Sequence, residues 1–323
     1  MVFAMVVVGG VTRLTHSGLS IVEWQPIVGT IPPLTDAQWV ETFSKYQLTP
    51  EFRLVNSGMS LAEFKGIFWW EYAHRLLGRL IGAVVFVPLA WFWFTRRIDR
   101  PLAIRLSAIF VLGALQGAMG WYMVQSGLVD DPRVSQYRLT GHLLIALAIY
   151  AALLWTALGL LARNREAGRD GMPGIRRLAW SVVGVSVLQF LTGGFVAGIR
   201  AGLAYNSFPL MNGYLIPPEI LSLDPWYLNF ASNMATVQFD HRLGAWLLIV
   251  LVPCLWLAGI RAPLPAPSRR TLHVLLAVFA LQIALGIGTL VMRVPVPLAA
   301  LHQAGALLLF SAALVAAWQL QRA

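Results

Sequence analysis

Charge is what this chain has least of. Only 12% of its 323 residues are charged, against 58% hydrophobic residues and thirteen Trp. That scarcity excludes an ordinary soluble domain, because apolar runs near twenty residues read as membrane helices. Cysteine is nearly absent too. The one thiol, Cys254, falls inside an apolar run, so no intramolecular disulfide can form and cysteine usage is silent on compartment. The N-terminus has neither a cleavable signal pattern nor an Arg- and Ser-rich transit segment. Acids are fewer than bases, 14 against 24, leaving a net charge of +10. The basic residues flank apolar runs and form no separate domain, so no nucleic-acid partner is expected.

What is present is a series of apolar runs. With charged residues as breaks, eight spans emerge: 1–12, 72–94, 106–124, 139–162, 178–199, 239–260, 272–292 and 298–320. The first is too short to cross about 30 Å of hydrocarbon, and a start upstream of Met1 is the expectation. The connections 95–105, 163–177 and 261–270, with Arg322, hold thirteen of the 24 basic residues and three acids, Asp99, Glu166 and Asp170. The whole net charge therefore lies on one side, and Lys/Arg-rich short loops stay cytoplasmic. This puts both termini inside and the long loops 13–70 and 200–236 outside. Within the first of these, 36–45 is expected to form a short amphipathic helix on the membrane surface.

Two halves repeat. Gly9-Gly10 and Gly18-Leu19 return as Gly193-Gly194 and Gly202-Leu203, and Pro32-Pro33 returns as Pro217-Pro218. His74-Arg75-Leu76 returns as His241-Arg242-Leu243, Gln116 as Gln282, and His142 as His302. Four spans per copy make both copies cross in the same direction, unlike the inverted repeats of many transporters. The expected fold is an all-α integral membrane protein. Its eight transmembrane helices form two tandem four-helix bundles related by a parallel pseudo-two-fold duplication. The N-terminal bundle is 1–162, the C-terminal bundle 178–323, and 163–177 a polar cytoplasmic linker.

The stretch FWWEYAHRLLG (68–78) carries the first candidate site, with Glu71, His74 and Arg75 at the mouth of a long apolar run. Residues three apart on a helix share a face, and ionisable groups in membrane helices mark functional sites by default. In the second copy, VQFDHRLGAW (237–246), Gln238 stands in the place of Glu71. Each of His74, His142, His241 and His302 lies 20 to 22 residues from the inner arginine that ends its span. At 1.5 Å per residue that is about 30 Å every time. The four imidazoles share one depth near the outer boundary, two per bundle.

A single buried histidine is more often a packed residue than a ligand; four at matched depth in matched spans point to metal ligation. Paired neutral imidazoles suit haem iron. A di-iron carboxylate site needs two Glu-x-x-His helices, and only Glu71-x-x-His74 exists. Zinc wants three or four close ligands. Arg75, Arg79 and Arg242 are placed either to pair with haem propionates or to snorkel to lipid headgroups. His16 and His273 have no repeat counterpart and read as structural.

These strings resemble the haem A synthases, particularly the mitochondrial and alpha-proteobacterial type. The resemblance covers essentially the whole chain. It rests on GGVTRLTHSGLSIVEWQPIVGTIPPL (9–34), EFKGIFWWEYAHRLLGR (63–79), QGAMGWYMVQSGL (116–128), YRLTGHL (137–143), NSFPLMNG (206–213), QFDHRLGA (238–245) and LHQAGA (301–306). It implies an eight-helix bacterial inner-membrane enzyme that oxidises the C8 methyl of haem O to the formyl of haem A for terminal oxidases. It also implies haem b on His241 and His302, and substrate haem O handled by His74 and His142 with Glu71 essential for chemistry. Haem O synthase, the farnesyltransferase, is then the supplier, and membrane lipid the surroundings. The electron donor and oxygen source are not indicated, and a homo-oligomer stays open. The cysteine pairs that some bacterial members carry in outer loops are absent here.

Two other classes compete on the residues alone. A two-haem b-type electron carrier explains four histidines but not why only one copy has the carboxylate. A transporter needs broken helices at matched positions, and only Pro88 and Pro253 offer that.

Overall fold

The computed structural model describes residues 1–25, 28–129, 131–162 and 172–321. Residues 163–171 of the expected inner linker lie outside these, including Arg163, Glu166 and Asp170, as do Pro26 and Arg322. The chain is an all-helical, multi-pass membrane protein. Among the described residues there is no β-strand, only an isolated bridge between Met211 and Tyr214. Among the described residues seven helices are long and apolar enough to cross a membrane: α4 (Leu61–Phe94), α5 (Arg100–Gln125), α6 (Gln136–Leu161), α7 (Pro173–Gly198), α9 (Met234–Arg261, after the four-residue α8, Asn229–Ser232), α10 (Ala266–Val291) and α11 (Val296–Leu320). The shorter α1 (Val2–Leu14) is apolar but has only 13 residues, about 20 Å of rise.

Local chemistry sets the helix ends. Proline occupies the first or second position of α5, α7, α10 and α11, where its missing N–H leaves no helical bond unmade. The Asp99 side chain caps α5 through Leu102 N, and Asn233 caps α9 through the amides of Ala235 and Thr236. Left-handed backbone follows α1 at His16 (φ 54°) and α7 at Arg200 (φ 56°), two positions separated by the same spacing as Gly9 and Gly193. Pro88 and Pro253 lie inside α4 and α9, yet both helices run through them. The broken helices that a transporter reading requires are therefore absent from α4 and α9.

α4 corrects the expected boundary of the outer loop. The helix begins at Leu61, not near residue 72, so Glu71 lies inside a helix of 34 residues. Its rise of about 51 Å exceeds the ~30 Å of hydrocarbon, and the excess is the N-terminal end. A capping box starts it: Ser60 Oγ accepts from Glu63 N, and the Glu63 carboxylate accepts from Ser60 N. Packing then holds the extension. α2 (Asp36–Gln47) and the short α3 (Pro50–Leu54) present Trp39, Tyr46, Phe43 and Phe52 to Phe64 and Phe68 of α4. Tyr46 stacks on Phe64 at 5.1 Å, and Trp39 meets Phe68 edge-on at 4.9 Å. The helix expected over 36–45 exists, and its aromatic face is buried on protein.

The chain divides into two compact units, Met1–Ile149 and Tyr150–Ala323. The division falls inside α6 rather than in the 163–177 connection. Its reason is the far end of α6: Tyr150 hydrogen-bonds Ser311 of α11, and Trp155 packs on Trp180 of α7. In the second unit α7 packs on α9, α9 on α10, α10 on α11 and α11 on α7, closing a ring of four helices. In the first, α1 packs on α4 and α4 on α5, and Gln116 of α5 bonds His142 of α6.

Candidate functional site

Each histidine singled out in the sequence lies on a helix face against a glycine of a neighbouring helix. In the first unit a Cβ built on Gly9 of α1 would stand 2.9 Å from His74 Nε2. One built on Gly120 of α5 would stand 3.0 Å from His142 Cε1. In the second unit the corresponding approaches are 3.2 Å from Gly193 to His241 Cε1 and 2.8 Å from Gly286 to His302 Cε1. Almost any side chain at these four glycines would push the ring aside. All four rings are half-buried. His74 and His142 lie within electrostatic range of each other, and so do His241 and His302.

Glutamines of the adjacent helices seat three of the histidines. Gln116 Nε2 donates to the His142 carbonyl at 2.9 Å, Gln189 Nε2 to that of His241 at 3.0 Å, and Gln282 Nε2 to that of His302 at 3.0 Å. The second unit adds contacts to the rings themselves. Thr192 Oγ1 lies 2.9 Å from His241 Nδ1, and Gln282 Nε2 lies 3.1 Å from His302 Nδ1. In the first unit His142 Nδ1 is buried without a partner. The sequence reading marked Gln116 and Gln282 but missed Gln189 and Thr192. They become visible when α1 and α7 are compared at the repeat spacing, where Met5 and Val8 stand opposite them.

Glu71 is 2% exposed and fully engaged. Its Oε2 accepts from Ser20 Oγ at 2.7 Å and from Ile21 N at 2.8 Å, while Oε1 accepts two bonds from Arg75. The i+4 ion pair is therefore formed, at 2.6 Å. Gln238, 3% exposed, makes the matching connection with reversed polarity. Its Nε2 donates to Ala201 O at 2.9 Å, and its Oε1 accepts from Arg242 Nη2 at 3.2 Å.

The three arginines hold outer segments onto their helices. Arg75 donates to the carbonyls of Ile21 and Glu23, and Arg79 to that of Gln25. Arg242 reaches the carbonyls of Tyr205, Ser207, Pro209 and Leu210. Away from these sites, Trp256 Nε1 donates to Nδ1 of the exposed His273 at 3.0 Å. No group of three or more His, Cys, Asp or Glu converges among the described residues. The available donor sets are thus pairs of imidazoles, which fit a haem iron and not a four-ligand zinc site.

Comparison with known proteins gives the chain a family. The COX15-CtaA family model, described as cytochrome oxidase assembly protein, matches residues 1–314. A heme A synthase of Nitrosospira multiformis is 59% identical over 323 residues, covering 100% of this chain and 91% of that protein. A heme A synthase of Nitrosomonas eutropha is 55% identical over 97% of this chain and 89% of its own length. One from Parvibaculum lavamentivorans is 50% identical over 100% of this chain and 91% of its own. With a family match over nearly its whole length and paired histidines in each half, the chain belongs to the COX15-CtaA family of cytochrome oxidase assembly proteins.

Proposed function

We propose that this chain is a haem A synthase of the bacterial inner membrane, converting haem O to haem A by successive oxidation of one methyl carbon. The observation that carries this reading is the seating of imidazoles against glycines in both halves, with a carboxylate three residues before the histidine in the first half and an amide there in the second. Full-length similarity to proteins named heme A synthase supports it. A two-haem electron carrier is not favoured, since it leaves the Glu71/Gln238 difference without a purpose.

In this reading eight helices, α1 included, form two tandem four-helix bundles with both termini cytoplasmic. His74 and His142 hold the substrate haem O near the outer face, and His241 and His302 hold haem b. The residues fit such a group: glycine at 9, 120, 193 and 286 leaves each ring room beside it. Bound haem b would supply a one-electron relay. Glu71 and Arg75 keep the 20–23 segment closed over the N-terminal pair, and the carboxylate stands ready to stabilise positive charge or to pass a proton. Haem O synthase is the natural supplier of substrate, and membrane lipid surrounds the apolar helix faces.

Pigment extraction from the purified protein, coexpressed with haem O synthase, tests the reading. Haem b together with haem O, haem A or a hydroxylated intermediate is the expected content. Haem b alone, with no turnover of supplied haem O, would favour the electron carrier.

A further inference from the structure

We propose that Thr192 is a positioning residue that fixes the tautomer and ring orientation of His241, and that its absence from α1 leaves the His74 ring without the corresponding anchor. The inference rests on the assignment of haem b to the C-terminal pair. The Thr192 hydroxyl lies 3.1 Å from the Leu188 carbonyl, 3.4 Å from that of Gln189 and 2.9 Å from His241 Nδ1. When its proton goes to a carbonyl of its own helix, the oxygen accepts from Nδ1–H. A neutral imidazole protonated at Nδ1 keeps its Nε2 lone pair for a metal. Gln189, less than one turn earlier on α7, takes the His241 carbonyl, so one helix holds both the backbone and the ring of this residue.

At the repeat spacing α1 offers Met5 and Val8 where α7 has Gln189 and Thr192. Neither can make the corresponding bond. The rings respond differently. His241 turns its Cε1 and Nδ1 edge toward Gly193, whereas His74 lays Nε2 and Cδ2 against Gly9. The pair proposed to keep its haem has a ligand anchored at Nδ1 by a hydroxyl, and the pair proposed to release a product has no such anchor on His74 from α1.

The test compares Thr192→Val, Thr192→Ser and His241→Ala in the purified full-length protein. Haem b content, midpoint potential and the low-spin ferric resonance signal, which reports ligand orientation, are measured. Thr192→Val copies the residue at position 8. It should weaken haem b retention about tenfold and shift its redox equilibrium toward the ferrous form, with Thr192→Ser restoring both. An unchanged potential and resonance signal in Thr192→Val, while His241→Ala loses haem b, overturns the role of Thr192 and leaves the haem assignment standing. Retention of haem b by His241→Ala overturns both. If Thr192→Val fails to accumulate, Val8→Thr carries the test: it should slow release of haem from the N-terminal half about tenfold, and unchanged release overturns the proposal.

Discussion

Arg75 closes on Glu71 from the next turn of α4, with Nη2 2.6 Å and Nε 3.0 Å from Oε1. In the second unit Arg242 and Gln238 repeat the contact at 3.2 Å. A charged pair in one half thus corresponds to a neutral acceptor and a cation in the other. Both tie a membrane helix to the turn that follows α1 or α7. The partners differ to match: Glu71 Oε2 accepts from Ser20 Oγ and Ile21 N, whereas Gln238 Nε2 donates to the Ala201 carbonyl.

Glu71→Gln serves as a test of chemistry. It should accumulate in the membrane and keep haem b, because the proposed haem b ligands His241 and His302 lie in the other unit. Haem A formation should fall by about 10²-fold or more, with haem O or a partly oxidised haem building up. Near-normal haem A would reduce Glu71 to a latch between α4 and the 20–23 segment.

The glycine contacts make a graded prediction. His241→Ala and His302→Ala should each abolish haem b and its sharp reduced spectrum. Gly286→Ala places a methyl 2.8 Å from His302 Cε1 and should shift that spectrum and lower haem content, at a stability cost of about 1–3 kcal/mol. Gly120→Ala, 3.0 Å from His142 Cε1, should spare haem b and impair haem A formation. Equal loss of haem b from both glycine variants would contradict separate roles for the two halves.

Orientation is open to direct measurement. A tag at the C-terminus or in the 262–265 connection should be reachable only from the cytoplasm, and one near Lys45 only from outside. External labelling of a cysteine placed at 263 in intact cells would invert the proposed topology.

The aromatic cap should respond to alkali. Burial pushes the Tyr46 phenol up to about 12, whereas an unfolded tyrosine ionises near 10. The neutral form is favoured by folding, so its contribution is complete below about pH 10 and is lost as pH rises through about 12. Tryptophan fluorescence should report loosening of the cap over that window, and Tyr46→Phe should remove this component. An identical alkaline transition in Tyr46→Phe would assign it to other groups.

The seven long membrane helices and the positions of His74, His142, His241, His302 and Glu71 on helices were legible in the sequence. Apolar length and charge breaks are one-dimensional properties, which a sequence carries without tertiary contacts. Tertiary structure decided the rest. The start of α4 at Leu61 depends on aromatic packing with α2, although the capping box Ser60-x-x-Glu63 was there to be read. The engagement of Arg75, Arg79 and Arg242 depends on where outer-loop carbonyls fall, which spacing along one helix does not determine. Thr192 reaches its histidine across 49 residues of chain. Only the close approach of α7 to α9, which the small side of Gly193 permits, turns an unremarked hydroxyl into a partner of the His241 ring.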